Sequence, residues 1–174
     1  AYLRDIRDNL VKVLEPARRF RKGSHDLPGT VHPEEDMKEL GVALGLESPP
    51  LIMECFDISN VSSNHIVASM VRFTNGRPDN KAYRRYRIRT VDGQNDFASM
   101  SEVIRRRYSR ILAESDAVAS RQADMTLYQW LKKLSAEGKA PIKVPDLVVV
   151  AGGKGQLSYA LADLAAIGLR DMTI

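Results

Sequence analysis

The sequence predicts a mixed α/β fold, one sheet flanked by helices, and three observations support that expectation. Leu51–Ile58 ("LIMECFDI") is an apolar run broken only by Glu54 and Asp57, and His65–Phe73 after it is rich in β-formers. Asn75-Gly76 is the strongest hairpin signal in the chain. After it, Ala82–Val91 alternates, with Tyr86, Ile88 and Thr90 on one side and Arg85, Arg87 and Arg89 on the other. Farther on, a helical period over Asp96–Glu114, a continuous apolar strand at Asp146–Val150 and a helical period over Leu157–Ile167 complete the pattern.

Each element has a local reason. Tyr2–Leu14 spaces apolar residues at 3, 6, 10, 13 and 14, as a helix does, and the following "EPARRFRKGSHDLPGTVHP" has the prolines and glycines of a linker. Pro33-Glu34-Glu35 opens a second helix, proline first and acids in the first turn, which runs to about Leu44 before Gly45. Leu51–Ile58, His65–Phe73 and Ala82–Val91 form an antiparallel meander. The helix beginning at Asp96 is capped by Asp96 or Ser99, and Ser99-x-x-Glu102 fits a capping box. Its apolar stripe is Met100, Ile104, Tyr108, Ile111 and Leu112, with Arg105, Arg106 and Arg110 largely off it. Residues 115–144 form a polar excursion with one short helix near Met125–Leu134. Gly168 ends the last helix and "RDMTI" begins a further strand.

The order βββ-α-β-α-β is that of the ribonuclease H fold: an antiparallel three-strand meander plus parallel strands, flanked by helices. In that topology the first strand and the strand after the first helix are parallel neighbours, so their carboxyl ends meet at Asp57 and at position 151. The expected division is an N-terminal helical and linker extension over 1–49 and a ribonuclease H-like domain over 50–174, incomplete at its C-terminal end.

Composition narrows the classes. With 174 residues, 44% hydrophobic and 28% charged, the chain is that of a soluble globular protein able to bury a core. No run approaches the ~18 apolar residues of a membrane span, and no charged-then-apolar leader opens the chain, so a cytoplasmic location is expected. The single Cys55 excludes an internal disulfide and, lying in an apolar run, is expected as a buried thiol. Charge is unevenly placed. Between Arg72 and Arg110 there are 11 Lys/Arg against 4 Asp/Glu, which leaves 15 basic and 18 acidic groups elsewhere of the 26 and 22 in the chain. That footprint suits a polyanion, although a solvated basic face has the same composition.

Two places could do chemistry. "VPDLVVVAGGKGQL" resembles a strand emptying into a phosphate loop, but Lys154 is followed by Gly155 and Gln156, without the hydroxyl and the spacer a nucleotide P-loop needs. Gly152-Gly153-Lys154-Gly155 is also too compact for a dinucleotide fingerprint. A tight strand-to-helix turn explains the glycines, and the helix amides with Lys154 form a clamp for a nucleic-acid phosphate. Asp57 is the sharper residue. A carboxylate near the end of a central strand is costly unless paired or metal-bound, so it is either a strand-end cap or a ligand for Mg²⁺ or Mn²⁺. Glu54 points to the opposite face by strand parity. His25 and His32 lie in the linker, His65 opens a strand, and no zinc spacing occurs.

"MECFDIS", "VASMVRFTNGRPDNKAYRRYRIRT", "DFASMSEVIRRRYSRIL" and "PDLVVVAGGKGQL" together resemble the carboxyl-terminal endonuclease half of the UvrC family, from about Pro50 to Ile174. The resemblance implies a ribonuclease H-like, divalent-metal (Mg²⁺ or Mn²⁺) endonuclease of nucleotide excision repair that cuts damaged double-stranded DNA 5′ to a lesion. It further implies recruitment by UvrB through segments outside this chain, with no membrane and no nucleotide as partner. The family's Asp–Asp–His site carries its first aspartate onto Asp57. Its second belongs in "DGGKGQ", which here begins with Ala151, so that carboxylate is absent, and its histidine is expected after Ile174. A chain of this sequence is therefore expected to be catalytically impaired. Candidate DNA contacts are Gly152, Gly153, Lys154, Arg84, Arg85, Arg105, Arg106 and Arg107. Two rival classes are a non-catalytic nucleic-acid- or partner-binding module on the same fold, and a nucleotide-dependent enzyme using the glycine loop.

Overall fold

The computed structural model describes residues 32–62, 65–91, 93 and 95–174. The expected helix at Tyr2–Leu14 and most of the linker after it lie outside them. The order of elements is α1 (Pro33–Ala43), β1 (Ile52–Ser62), β2 (His65–Thr74), β3 (Arg77–Pro78), a 3₁₀ turn (Asn80–Ala82), β4 (Arg84–Arg87), α2 (Asp96–Ser115), α3 (Ala117–Ser120), α4 (Leu127–Ala136), β5 (Leu147–Ala151) and α5 (Lys154–Ala166). β1 pairs antiparallel with β2 and parallel with β5, while β3 and β4 both pair with the far edge of β2. The meander and the parallel neighbour are thus those of the ribonuclease H order.

The hairpin turn sits at Asn75 and Gly76, with φ of 51° and 71°. Left-handed backbone at two consecutive positions is what a type I′ turn demands, and Asn-Gly meets it at least steric cost.

Strand parity divides the core in two. On one face Met53, Cys55, Val71, Phe73 and Leu147 pack under Met37 and Leu40 of α1. On the other, Phe56, Ala68, Met70 and Val148 meet Met100, Ile104, Tyr108 and Ile111 of α2, Trp130, Leu131 and Leu134 of α4, and Ala160 and Leu164 of α5. Each large side chain so buried contributes about 1.5–3 kcal/mol of transfer free energy.

Several expectations change in detail. The cap of α2 is Asn95, whose Oδ1 accepts from the Ala98 amide at 3.0 Å. Ser99 lies inside the helix and is buried, so the Ser99–Glu102 capping box does not form. The strand expected over Ala82–Val91 shortens to Arg84–Arg87, because Glu102 draws the following backbone down onto α2. The excursion at 115–144 holds two helices, and α4, with Thr126 and Gln129 forming its capping box, drives Trp130, Leu131 and Leu134 into the main core. Asp146 is not the first strand residue. Its carboxylate accepts the Ile52 amide at 2.8 Å and pairs with Lys132, tying α4 to the start of β1. "RDMTI" forms turns and irregular chain, although Thr173 already lies beside β5, its carbonyl accepting from the Val148 amide at 2.9 Å. No helix among the described residues is long and apolar enough to cross a membrane.

Candidate functional site

The carboxyl end of β5 meets β1 at Asp57, midway along that strand rather than at its end, because β1 runs on to Ser62. In the parallel ladder Met53 lies opposite Leu147, and four residues on Asp57 lies opposite Ala151. Across the other edge of β1, Asp57 faces Ser69, and Ser69 faces Arg85 of β4. One row across the sheet therefore reads Arg85, Ser69, Asp57, Ala151. Because residues two apart share a face, Arg87, opposite Val67, lies beside that row. These side chains belong to the face covered by α1, but α1 packs over the other end of the strands, where Met53 and Phe73 lie. Along the row Asp57 and Ala151 are half-buried, Ser69 is buried, and Arg85 is exposed, as is Arg87 beside it.

Cys55, two residues before Asp57 on the same face, is a buried free thiol. Burial, with the Asp57 carboxylate as the second cause, pushes it up to about 12. A thiol so protonated is inert as a nucleophile.

The glycine loop is built differently from the sequence expectation. α5 begins at Lys154, not at Leu157, so the first free helix amides stand only three residues past Ala151. Gly153 has φ −88°, ordinary extended backbone, so dihedral freedom does not explain it. Space explains the neighbouring glycines. A Cβ at Gly152 would collide with the Gln156 carboxamide, whose Oε1 accepts from the Gly153 amide at 2.6 Å, and a Cβ at Gly155 would collide with the Phe97 ring. Lys154 is exposed at the helix start.

The arginines divide into groups. Arg85 and Arg87 share the Asp57 face, whereas Arg84 has the opposite parity and turns back to donate to the carbonyls of Lys81 and Tyr83. Arg105 and Arg106 lie on α2, on the far side of the sheet. Arg106 donates to Glu102 at 2.7 Å and to the Arg87 carbonyl at 2.8 Å, and lies over the Tyr86 ring. Arg105 stands 3.7 Å from Asp163 with its side chain 60% exposed.

Arg107 leaves the set of candidate DNA contacts. It is 5% exposed and donates to both oxygens of Glu54, at 2.5 and 3.2 Å. Tyr108 Oη donates to the same carboxylate at 3.0 Å, and Arg72 approaches it at 3.8 Å. Burial draws both guanidinium groups down. For Arg107 the close contact with Glu54 outweighs burial and the net shift is upward, whereas Arg72, farther away, stays lowered. Burial first, and the Glu54 charge second, also hold Tyr108 well above its usual value. The sequence did contain a signal for this. Position 107 lies three residues after Ile104 and four before Ile111, within the apolar stripe, and a glutamate inside a strand must find a buried partner.

Among the described residues no group of three or more His, Cys, Asp or Glu side chains gathers as a metal cage. In the row that carries Asp57, the facing position on β5 presents a methyl group. Mg²⁺ is ordinarily held by one or two carboxylates, with waters and substrate phosphates completing its shell. Of a facing carboxylate pair at this row the described residues supply Asp57 alone, which does not fit a tightly held metal.

Residues 41–174 match the family described as the UvrC RNase H endonuclease domain. UvrABC system protein C of Methanosarcina acetivorans is 35% identical over 175 residues, spanning 97% of this chain and 29% of its own length. The protein of the same name from Christiangramia forsetii is 34% identical over 169 residues, 97% of this chain and 22% of its own. That of Symbiobacterium thermophilum is 42% identical over 134 residues, 76% and 21% respectively. The chain thus spans under a third of the length of these relatives.

Proposed function

Because the chain belongs to the UvrC RNase H endonuclease domain family, we propose that it is the DNA-incising module of a repair excinuclease, with its cutting disabled by Ala151. In this reading the intact module hydrolyses a phosphodiester 5′ to a lesion in duplex DNA with Mg²⁺ or Mn²⁺, alongside UvrB bound through segments beyond these residues. The observation that carries it is the pairing of Asp57 with Ala151 across β1 and β5. The metal supplies activated water when bound. With one carboxylate in place of two, its affinity falls and no hydrolytic step is assigned to this chain. What its residues retain is substrate binding: Lys154 and the first amides of α5 face a phosphate, and the exposed Arg85 and Arg87 orient the strand.

Ala151 also favours a second reading, a non-catalytic DNA-binding module on the same fold. Ala151→Asp separates the two. Calorimetric Mn²⁺ affinity is expected to rise at least tenfold. In a longer chain that includes the histidine expected after Ile174, nicking of lesion-bearing duplex is expected to appear. Unchanged metal binding and no nicking would sink the assignment of position 151 and leave the binding module.

A further inference from the structure

A cleft of about 640 Å³ lies on the opposite side of the sheet from Asp57, between the chain after β4 and helices α2 and α5. Three arginines line it, Arg89, Arg105 and Arg106, against one carboxylate, Glu102. That carboxylate is engaged internally, by the amides of Arg89 and Thr90, the Thr90 hydroxyl and Arg106. Tyr159 forms one wall and Phe97 stacks on it, ring centroids 5.8 Å apart and planes inclined by 26°. Both rings face water, 46% and 53% exposed for Phe97 and Tyr159. Gly155 and Tyr159, four apart, share one face of α5, and the Phe97 ring occupies the space a Cβ at Gly155 would need. The pair therefore stands at the start of α5, one turn from Lys154 and next to the strand end that carries Ala151.

We infer that the Phe97–Tyr159 pair and its arginine-lined cleft bind an unpaired nucleotide of single-stranded DNA, the base stacking on the aromatic pair and the phosphates meeting Arg105 and Arg89. Exposed aromatic faces beside guanidinium groups that outnumber their carboxylates, here Arg89, Arg105 and Arg106 against Glu102 and the Asp163 next to Arg105, are the elements of a single-strand platform. A base inside an intact duplex offers no free face to such a ring, so the site selects locally opened DNA. The inference rests on the DNA-module reading and adds to it a second binding locus, separate from the Asp57 row.

The test is binding of this chain to a single strand carrying 2-aminopurine, and to the matching duplex, followed by fluorescence. Wild-type protein is expected to quench the probe in the single strand. Tyr159→Ala and Phe97→Leu, the latter keeping an apolar group over Gly155, are expected to abolish the quench. Each is expected to weaken single-strand binding about 5- to 100-fold, with duplex binding unchanged. Tyr159→Phe is expected to retain both. Equal loss on single strand and duplex, or an undiminished quench in Tyr159→Ala, overturns the stacking site while leaving the DNA module standing. Failure of the wild-type chain to bind either DNA overturns both.

Discussion

Asp57 and Glu54 sit three residues apart on β1 and show how strand parity sorts two identical charges into different roles. Asp57, midway along β1, is half-buried beside Ala151 at the end of β5. Glu54 is 0% exposed and held by Arg107, Tyr108 and Arg72. Its bonds fasten α2 to the sheet, and removing the charge leaves two guanidinium groups buried without their anion. Glu54→Gln is expected to destabilise the fold by about 3–5 kcal/mol, read as a lowered urea midpoint at unchanged m-value. A loss under ~1 kcal/mol would show that water reaches the network. Arg107 is the instructive case among the arginines. Its neighbours Arg105 and Arg106 lie two and one positions before it, yet a helix turns about 100° per residue and, of the three, buries only 107.

At the scale of elements, the segment after β4 is held by one side chain. Burial alone would raise the Glu102 carboxyl, but the amides of Arg89 and Thr90, the Thr90 hydroxyl and Arg106 outweigh it and hold the group below its usual value. A carboxyl lowered in the folded state adds stability above its unfolded pKa and loses it as pH falls through the folded one. Stability from this contact is therefore complete at neutral pH and is lost progressively below about pH 4.5. Glu102→Gln is expected to cost about 1–3 kcal/mol at pH 7, with the gap to wild type narrowing toward pH 3 in parallel urea titrations. A gap independent of pH would assign the loss to packing. The same contact explains why β4 is short: its alternation continues to Val91 in sequence, but after Ile88, whose amide still bonds to Ile66 of β2, the amides of Arg89 and Thr90 are drawn toward α2.

At the scale of the molecule, among the described residues one face of the sheet is sealed by α2, α4 and α5 and the other is covered at one end by α1. Away from α1, that second face carries the half-buried Asp57 and the exposed Arg85 and Arg87. Arg85→Ala and Arg87→Ala are each expected to weaken duplex binding and to reduce the slope of log K against log salt by about 1, without change in thermal midpoint. Fluorescence anisotropy across a salt series reads this directly. Slopes equal to wild type in both variants would remove the Arg85–Arg87 edge as a DNA track.

Much of this was legible in the amino-acid order. The apolar runs, the Asn75-Gly76 turn and the helical periods determine which segments become strands and helices, because period and turn chemistry are local properties. The strand order then places Asp57 beside position 151, and the alanine there is a fact of sequence alone. Tertiary structure decided what local pattern cannot encode. It buried Arg107 on Glu54, made Asn95 the cap in place of Ser99, and set the Phe97 ring, from another helix, in the space a Cβ at 155 would take. It also brought Phe97 and Tyr159, sixty-two positions apart in sequence, into one exposed stack. Each of these depends on which side chain arrives from a distant element, and burial, pairing and close approach are settled only when the elements pack.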